Sequence, residues 1–112
     1  MNERHYDLDN LRESMVKILG ADGRTVGSGF IIRPDGYLIT CHHVIYSLDQ
    51  LTVKYDNKQF SASWQPHLSD PEVDIAILKI DCQDAKAVPI IDPQDLVMLK
   101  CCTKTLVKLH AH

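Results

Sequence analysis

From Met15 to Ile80 the chain is cut into short apolar segments by turn-forming residues, at a spacing that suits strands and hairpins. "MVKIL" (Met15–Leu19) runs toward Asp22-Gly23, a pair that favours a tight hairpin turn. "TVGSGFIIR" (Thr25–Arg33) reads as the second strand, and Pro34-Asp35-Gly36 as a second tight turn. "YLITC" (Tyr37–Cys41) is the third strand, and "HHVIYSL" after it is long enough for one helical turn. "LTVKYD" (Leu51–Asp56) alternates and turns at Asn57-Lys58 into "QFSASW" (Gln59–Trp64). "QPHLSDPEV", with Pro66 and Pro71, reads as a loop. "DIAILKI" (Asp74–Ile80) is the most apolar run and is expected to be buried on both faces. "AVPIIDPQD" then leads to a last weak strand near Leu96–Lys100. Some seven strands on this spacing predict an all-β fold, a small antiparallel barrel or sandwich. Residues 1–13 read as a polar leader, loose or forming a short helix.

The totals narrow the function classes. A chain of 112 residues is one compact domain, and 45% hydrophobic residues can build a true core. A formal charge of -3 argues against nucleic acid or an anionic membrane as the main partner. No apolar run approaches the roughly 18 residues of a membrane span. The N-terminal "MNERHYDLDNLRES" has no apolar signal core, so a cytoplasmic location is expected. Cys41, Cys82, Cys101 and Cys102 lack CxxC spacing, which disfavours a zinc ribbon or redox motif. Neighbouring side chains on a strand point to opposite faces, so Cys101-Cys102 cannot easily close a relaxed disulfide. All four are read as reduced thiols.

The chemistry concentrates in "ITCHHVI", where Cys41 precedes the adjacent His42 and His43. The run "GSGFIIRPDGYLITCHHVI", followed about thirty residues later by "DPEVDIAILKI", resembles the trypsin-like serine proteases, in particular the HtrA/Deg type and related cytoplasmic trypsin-like domains. The resemblance covers about Val16 to Asp95, most of the first of that family's two β-barrels. It implies that His43, directly before Val44, is the general base, and that Asp74 orients it. A serine hydroxyl is a poor nucleophile until an imidazole accepts its proton, and that imidazole needs a carboxylate on its other nitrogen. The small residues Gly27, Ser28 and Gly29 would let the second strand run close behind the base.

Other readings of these residues are weaker. Ser28 in "GSG" looks like a nucleophile motif, but no strand-to-helix elbow follows it. His42 is expected to pack or meet solvent. A metal site from His42, His43, His67 and Asp74 is disfavoured, because adjacent histidines in extended chain diverge. His110 and His112 offer at most a weak surface site, and no metal or cofactor is expected. Cys41 is not read as a nucleophile, since its neighbour in sequence is not thereby its neighbour in space.

The pattern then departs from the family near Leu96. A nucleophile segment of the type "G-[DN]-S-G-G", which also forms the oxyanion hole, has no counterpart: the last serine is Ser69 and no glycine follows Gly36. The expected organisation is therefore a polar leader (1–13), a trypsin-like N-terminal half-barrel (14–96) and a divergent or truncated tail (97–112). The implied function is a serine endopeptidase acting on polypeptides, represented by its His/Asp half and inactive alone. The rivals are a non-catalytic interaction module and one half of a split protease completed by a second-barrel partner chain.

Overall fold

The computed structural model describes residues 8–89 and 94–95. A short helix α1 (Leu8–Ser14) leads into β1 (Met15–Leu19), β2 (Thr25–Ile31) and β3 (Tyr37–Cys41). One helical turn, α2 (His42–Ile45), follows at once; then come β4 (Thr52–Tyr55), β5 (Lys58–Trp64), two 3-10 turns (Pro66–Leu68 and Pro71–Val73) and β6 (Ile75–Ile80). The six strands close a barrel in the order β1-β2-β3-β6-β5-β4, with every pairing antiparallel. The fold is all-β, as the segment spacing predicts. A seventh strand near Leu96–Lys100, the tail 97–112, and with them Cys101-Cys102, His110 and His112 lie outside the described residues.

Local chemistry explains most boundaries. The β1–β2 loop is a turn in which Gly23 N donates to Gly20 O at 3.0 Å and Gly20 N to Arg24 O at 2.8 Å, with Gly23 at φ 80°. The β4–β5 turn falls on Asp56-Asn57, at φ 52° and 62°, one residue earlier than expected. Two consecutive positive-φ residues match the right-handed twist of a two-residue hairpin, and short amide or carboxylate side chains tolerate them best. Gly36 closes the β2–β3 turn at φ 103°, where a Cβ would strike the backbone oxygen of Ile80. Only glycine fits that approach.

Strand alternation sorts the apolar side chains into two clusters. Val16, Ile18, Ile31, Leu38, Val53, Ala76, Leu78 and Ile80 fill the barrel. Their alternates Phe30, Ile39, Ile75 and Ile77 face outward and are covered by Leu11 of α1 and by Val88. The covering segment is fastened by Ala85 N donating to Pro34 O at 3.0 Å and Val88 N to Ile31 O at 2.8 Å. β6 is therefore buried on both faces, which is why it reads as an unbroken apolar run. The short helix Leu8–Ser14 also has a use, since its Leu11 is only 2% exposed.

Candidate functional site: a histidine and a carboxylate at the end of the buried strand pair

β3 and β6 pair along their whole length, with Cys41 opposite Ile75. That register puts the residue after β3's end beside the residue before β6's start. His42 N donates to Asp74 O at 3.0 Å, which carries the chain from strand into α2. His43 N then donates to Asp74 Oδ1 at 2.8 Å, and His43 Nδ1 lies 2.6 Å from Asp74 Oδ2. One carboxylate thus holds both the backbone and the ring of a single histidine. The His43 side chain is 63% exposed and Asp74 only 27%, so the ring reaches outward from a half-sheltered anchor.

The "SDPEVD" stretch builds that anchor locally. Asp70 caps the second 3-10 turn by accepting from Glu72 N at 3.1 Å, and Pro71 sits at its first position. Asp70 and Ile75 exchange both backbone hydrogen bonds at 2.9 Å, closing the loop on itself. Asp74 between them is the C-cap, at φ 61° and ψ 36°. This corrects the expectation that Asp74 opens the strand: β6 starts at Ile75, and Asp74 is a left-handed cap. That conformation is uncommon for a residue with a side chain, though Asp enters it more readily than most. It aims the carboxylate back at α2.

Ser69, the last serine, is fully used by the same loop. Its Oγ accepts from Trp64 Nε1 at 3.0 Å and from Ile77 N at 2.9 Å, and donates to Gln65 O at 2.8 Å. Ser28 is buried on β2, and its Oγ has no hydrogen-bond partner among the described residues. Among the small residues of β2, Gly27 lies directly against α2. A Cβ on Gly27 would stand 2.6 Å from Cγ1 of Val44, the residue next to His43, so α2 can settle only on a glycine.

The two adjacent histidines part company, although not because the chain is extended. Both sit in the first turn of α2, where successive side chains diverge by about 100°. The His42 ring lies 5.9 Å from Trp64 and 6.2 Å from Tyr46, beside a groove of about 430 Å³ that Ile45, Leu48 and Leu51 also line. The metal set of His42, His43, His67 and Asp74 is not brought together. Instead, ligand atoms of Cys41, His43 and Asp74 all lie within 4.8 Å of one another. Cys41 escapes sequence reasoning because its closeness to Asp74 depends on the β3–β6 register. Its position two residues before His43 is the one available signal.

Comparison with known proteins extends the picture beyond these residues. Residues 27–102 match the family model of the trypsin-like peptidase domain. A probable periplasmic serine endoprotease DegP-like from Pseudomonas fluorescens is 38% identical over 76 residues, covering 67% of this chain and 16% of the relative. Its counterpart from Halomonas elongata is 31% identical over 99 residues, 83% of this chain and 20% of the relative. Among solved structures, the HtrA-type protease AlgW with tripeptide superposes with a TM-score of 0.61 at 27% identity, covering 72% of this chain and 27% of that one. The serine endoprotease from Yersinia pestis gives 0.61 at 29% identity, covering 80% and 35%. The chain spans a fifth or less of the length of these curated relatives. No helix among the described residues is long and apolar enough to cross a membrane, and these relatives are named periplasmic. A closed six-strand barrel of this topology, matched across most of its length, belongs to the trypsin-like peptidase family, among its HtrA-type serine proteases.

Proposed function

We propose that the chain supplies the general base, His43, and its orienting carboxylate, Asp74, to a serine endopeptidase that cleaves polypeptides. The observation that carries this reading is the 2.6 Å contact between His43 Nδ1 and Asp74 Oδ2. An ionised carboxylate only accepts, so Nδ1 carries the proton and the Nε2 lone pair is left to take one from a hydroxyl. The second Asp74 oxygen, held by His43 N, fixes the carboxylate so that the ring cannot swing without losing its partner. The same carboxylate would stabilise the imidazolium formed when the nucleophile is deprotonated.

Neither Ser69, bound on three sides, nor Ser28, which is buried, is suited to attack, and no segment of the "G-[DN]-S-G-G" type occurs within these 112 residues. The nucleophile and oxyanion hole therefore come from a second barrel, in a longer polypeptide or in a partner chain. The 112-residue chain alone is then expected to hydrolyse no peptide and to resist a fluorophosphonate probe. Adding a second barrel should restore both, His43→Ala should abolish the gain, and Asp74→Asn should lower kcat by about 10⁴-fold. Labelling of the chain alone on any serine overturns the reading. The rival is a non-catalytic interaction module. It wins if no second barrel restores turnover. A cytoplasmic location belongs to this reading on cysteine usage alone, since the adjacent Cys101-Cys102 cannot easily close a relaxed disulfide, whereas these relatives are named periplasmic.

A further inference from the structure

We propose that Cys41, His43 and Asp74 form a binding site for a thiophilic divalent cation, Zn²⁺ or Cd²⁺, and that the cation holds the histidine in a state unable to act as a base. The binding half stands on geometry alone; the inhibitory half rests on the role proposed for His43 above.

The three donors are a thiolate, an imidazole nitrogen and a carboxylate oxygen, the types that Zn²⁺ selects over harder cations. All three atoms lie within 4.8 Å of one another. Tetrahedral Zn²⁺ needs donors roughly 3.3–3.7 Å apart, given its ordinary bond lengths. The Nδ1–Oδ2 contact of 2.6 Å must open by a fraction of that distance, and the thiol sulfur starts no more than 4.8 Å from its partners. Cys41 is the last residue of a buried strand, 2% exposed, and is paired with Ile75, the neighbour of Asp74. His43 follows on the first turn of α2, pinned through its own N–H to Asp74. The donors are thus mounted on the paired strand ends, and ordering them costs little further entropy. The exposed His43 ring provides the way in, and three protein ligands leave a fourth position for water.

Binding has a defined proton balance and no redox step. The Cys41 thiol releases its proton to solvent as the S–metal bond forms. The His43 Nδ1 proton leaves, the lone pair there binds the cation, and the neutral ring carries its proton on Nε2 instead. A ring protonated at Nε2 cannot accept a hydroxyl proton at that atom. The Asp74 oxygen that oriented the base becomes a ligand. The cation and the hydrogen-bonded pair are therefore mutually exclusive states of the same atoms.

The test uses the full chain with Cys82, Cys101 and Cys102 changed to Ser, so that Cys41 is its one thiol, titrated with Cd²⁺ under reducing, chelator-free conditions. One Cd²⁺ per chain should bind with a thiolate-to-cadmium charge-transfer band. Cys41→Ser should erase the band. His43→Ala and Asp74→Asn should each weaken binding by about tenfold or more, on the scale of losses at metal sites. Nitrogen-15 NMR of the His43 ring, on the chain that retains Cys41, should show Zn²⁺ moving the proton from Nδ1 to Nε2. That measurement covers the case in which a Cys41 variant fails to fold. Absence of the band, its survival in Cys41→Ser, or a His43 ring that ignores Zn²⁺ each overturns the site. Cation binding without loss of restored peptidase activity would overturn the inhibitory half and the base assignment, while the site itself stands.

Discussion

The β3–β6 pair and the β4–β5 hairpin are both antiparallel ladders in one barrel, yet they are held by different forces. Nearly every residue of β3 and β6 is buried, because the barrel core lies on one face and the cluster under Leu11 and Val88 on the other. Most of the β4–β5 hairpin is exposed or half-buried. A one-residue slip of β3 against β6 would exchange the two apolar clusters, so burial on both faces sets that register. The hairpin's register is set instead by its turn at Asp56-Asn57. The candidate site stands at the end of the pair that burial fixes, and its geometry inherits that firmness. The aromatic groove beside His42 borrows Trp64, 42% exposed, from the looser side.

The largest test of this contrast is a pair of truncations followed by urea unfolding. Leu78→Ala, in the fully buried strand, should cost about 2–5 kcal/mol. Ser61→Ala on the exposed face of β5 should change stability by less than about 0.5 kcal/mol. Equal costs would dissolve the comparison. The second test sets two positive-φ glycines against each other. Gly36→Ala meets both the φ penalty and the Ile80 carbonyl that borders β6, and should cost at least about 2 kcal/mol. Gly23→Ala has open space around its Cβ and should cost only about 1 kcal/mol. If Gly23→Ala proved the worse, the β6 side would not be the tighter one. The smallest effect concerns Ser28, whose buried Oγ is unpartnered among the described residues while its carbonyl accepts from Thr40 Oγ1 at 2.8 Å. Ser28→Ala should be neutral or slightly stabilising, within about 0.5 kcal/mol, because it removes an unsatisfied polar group. A loss above about 1 kcal/mol would reveal a partner for that hydroxyl.

What could be read in advance follows the range of the forces involved. The strands Met15–Leu19 and Tyr37–Cys41 match their expected limits, because alternation and flanking turns act within a few residues. The turn at Asp56-Asn57 was displaced by one position, since two positive-φ residues were required and Lys58 is poorly suited to be one of them. The loop from Gln65 to Val73 conceals two 3-10 turns that no apolar period announces; capping by Asp70 and the triple use of Ser69 create them.

The sequence by itself determined the all-β class and the positions of six strands, and it singled out "CHHV" and "DIAILK" through their resemblance to a known family. Those features are carried by local periodicity, turn propensity and motif. Only the tertiary structure decided that β3 lies against β6, with β5 and β4 beyond, so that residues 31 positions apart share a hydrogen bond of 2.6 Å. It also decided that Asp74 is a left-handed cap and that Cys41 belongs to the same cluster. Register and closure come from burying two apolar faces at once, a non-local energy that no short stretch of the chain contains.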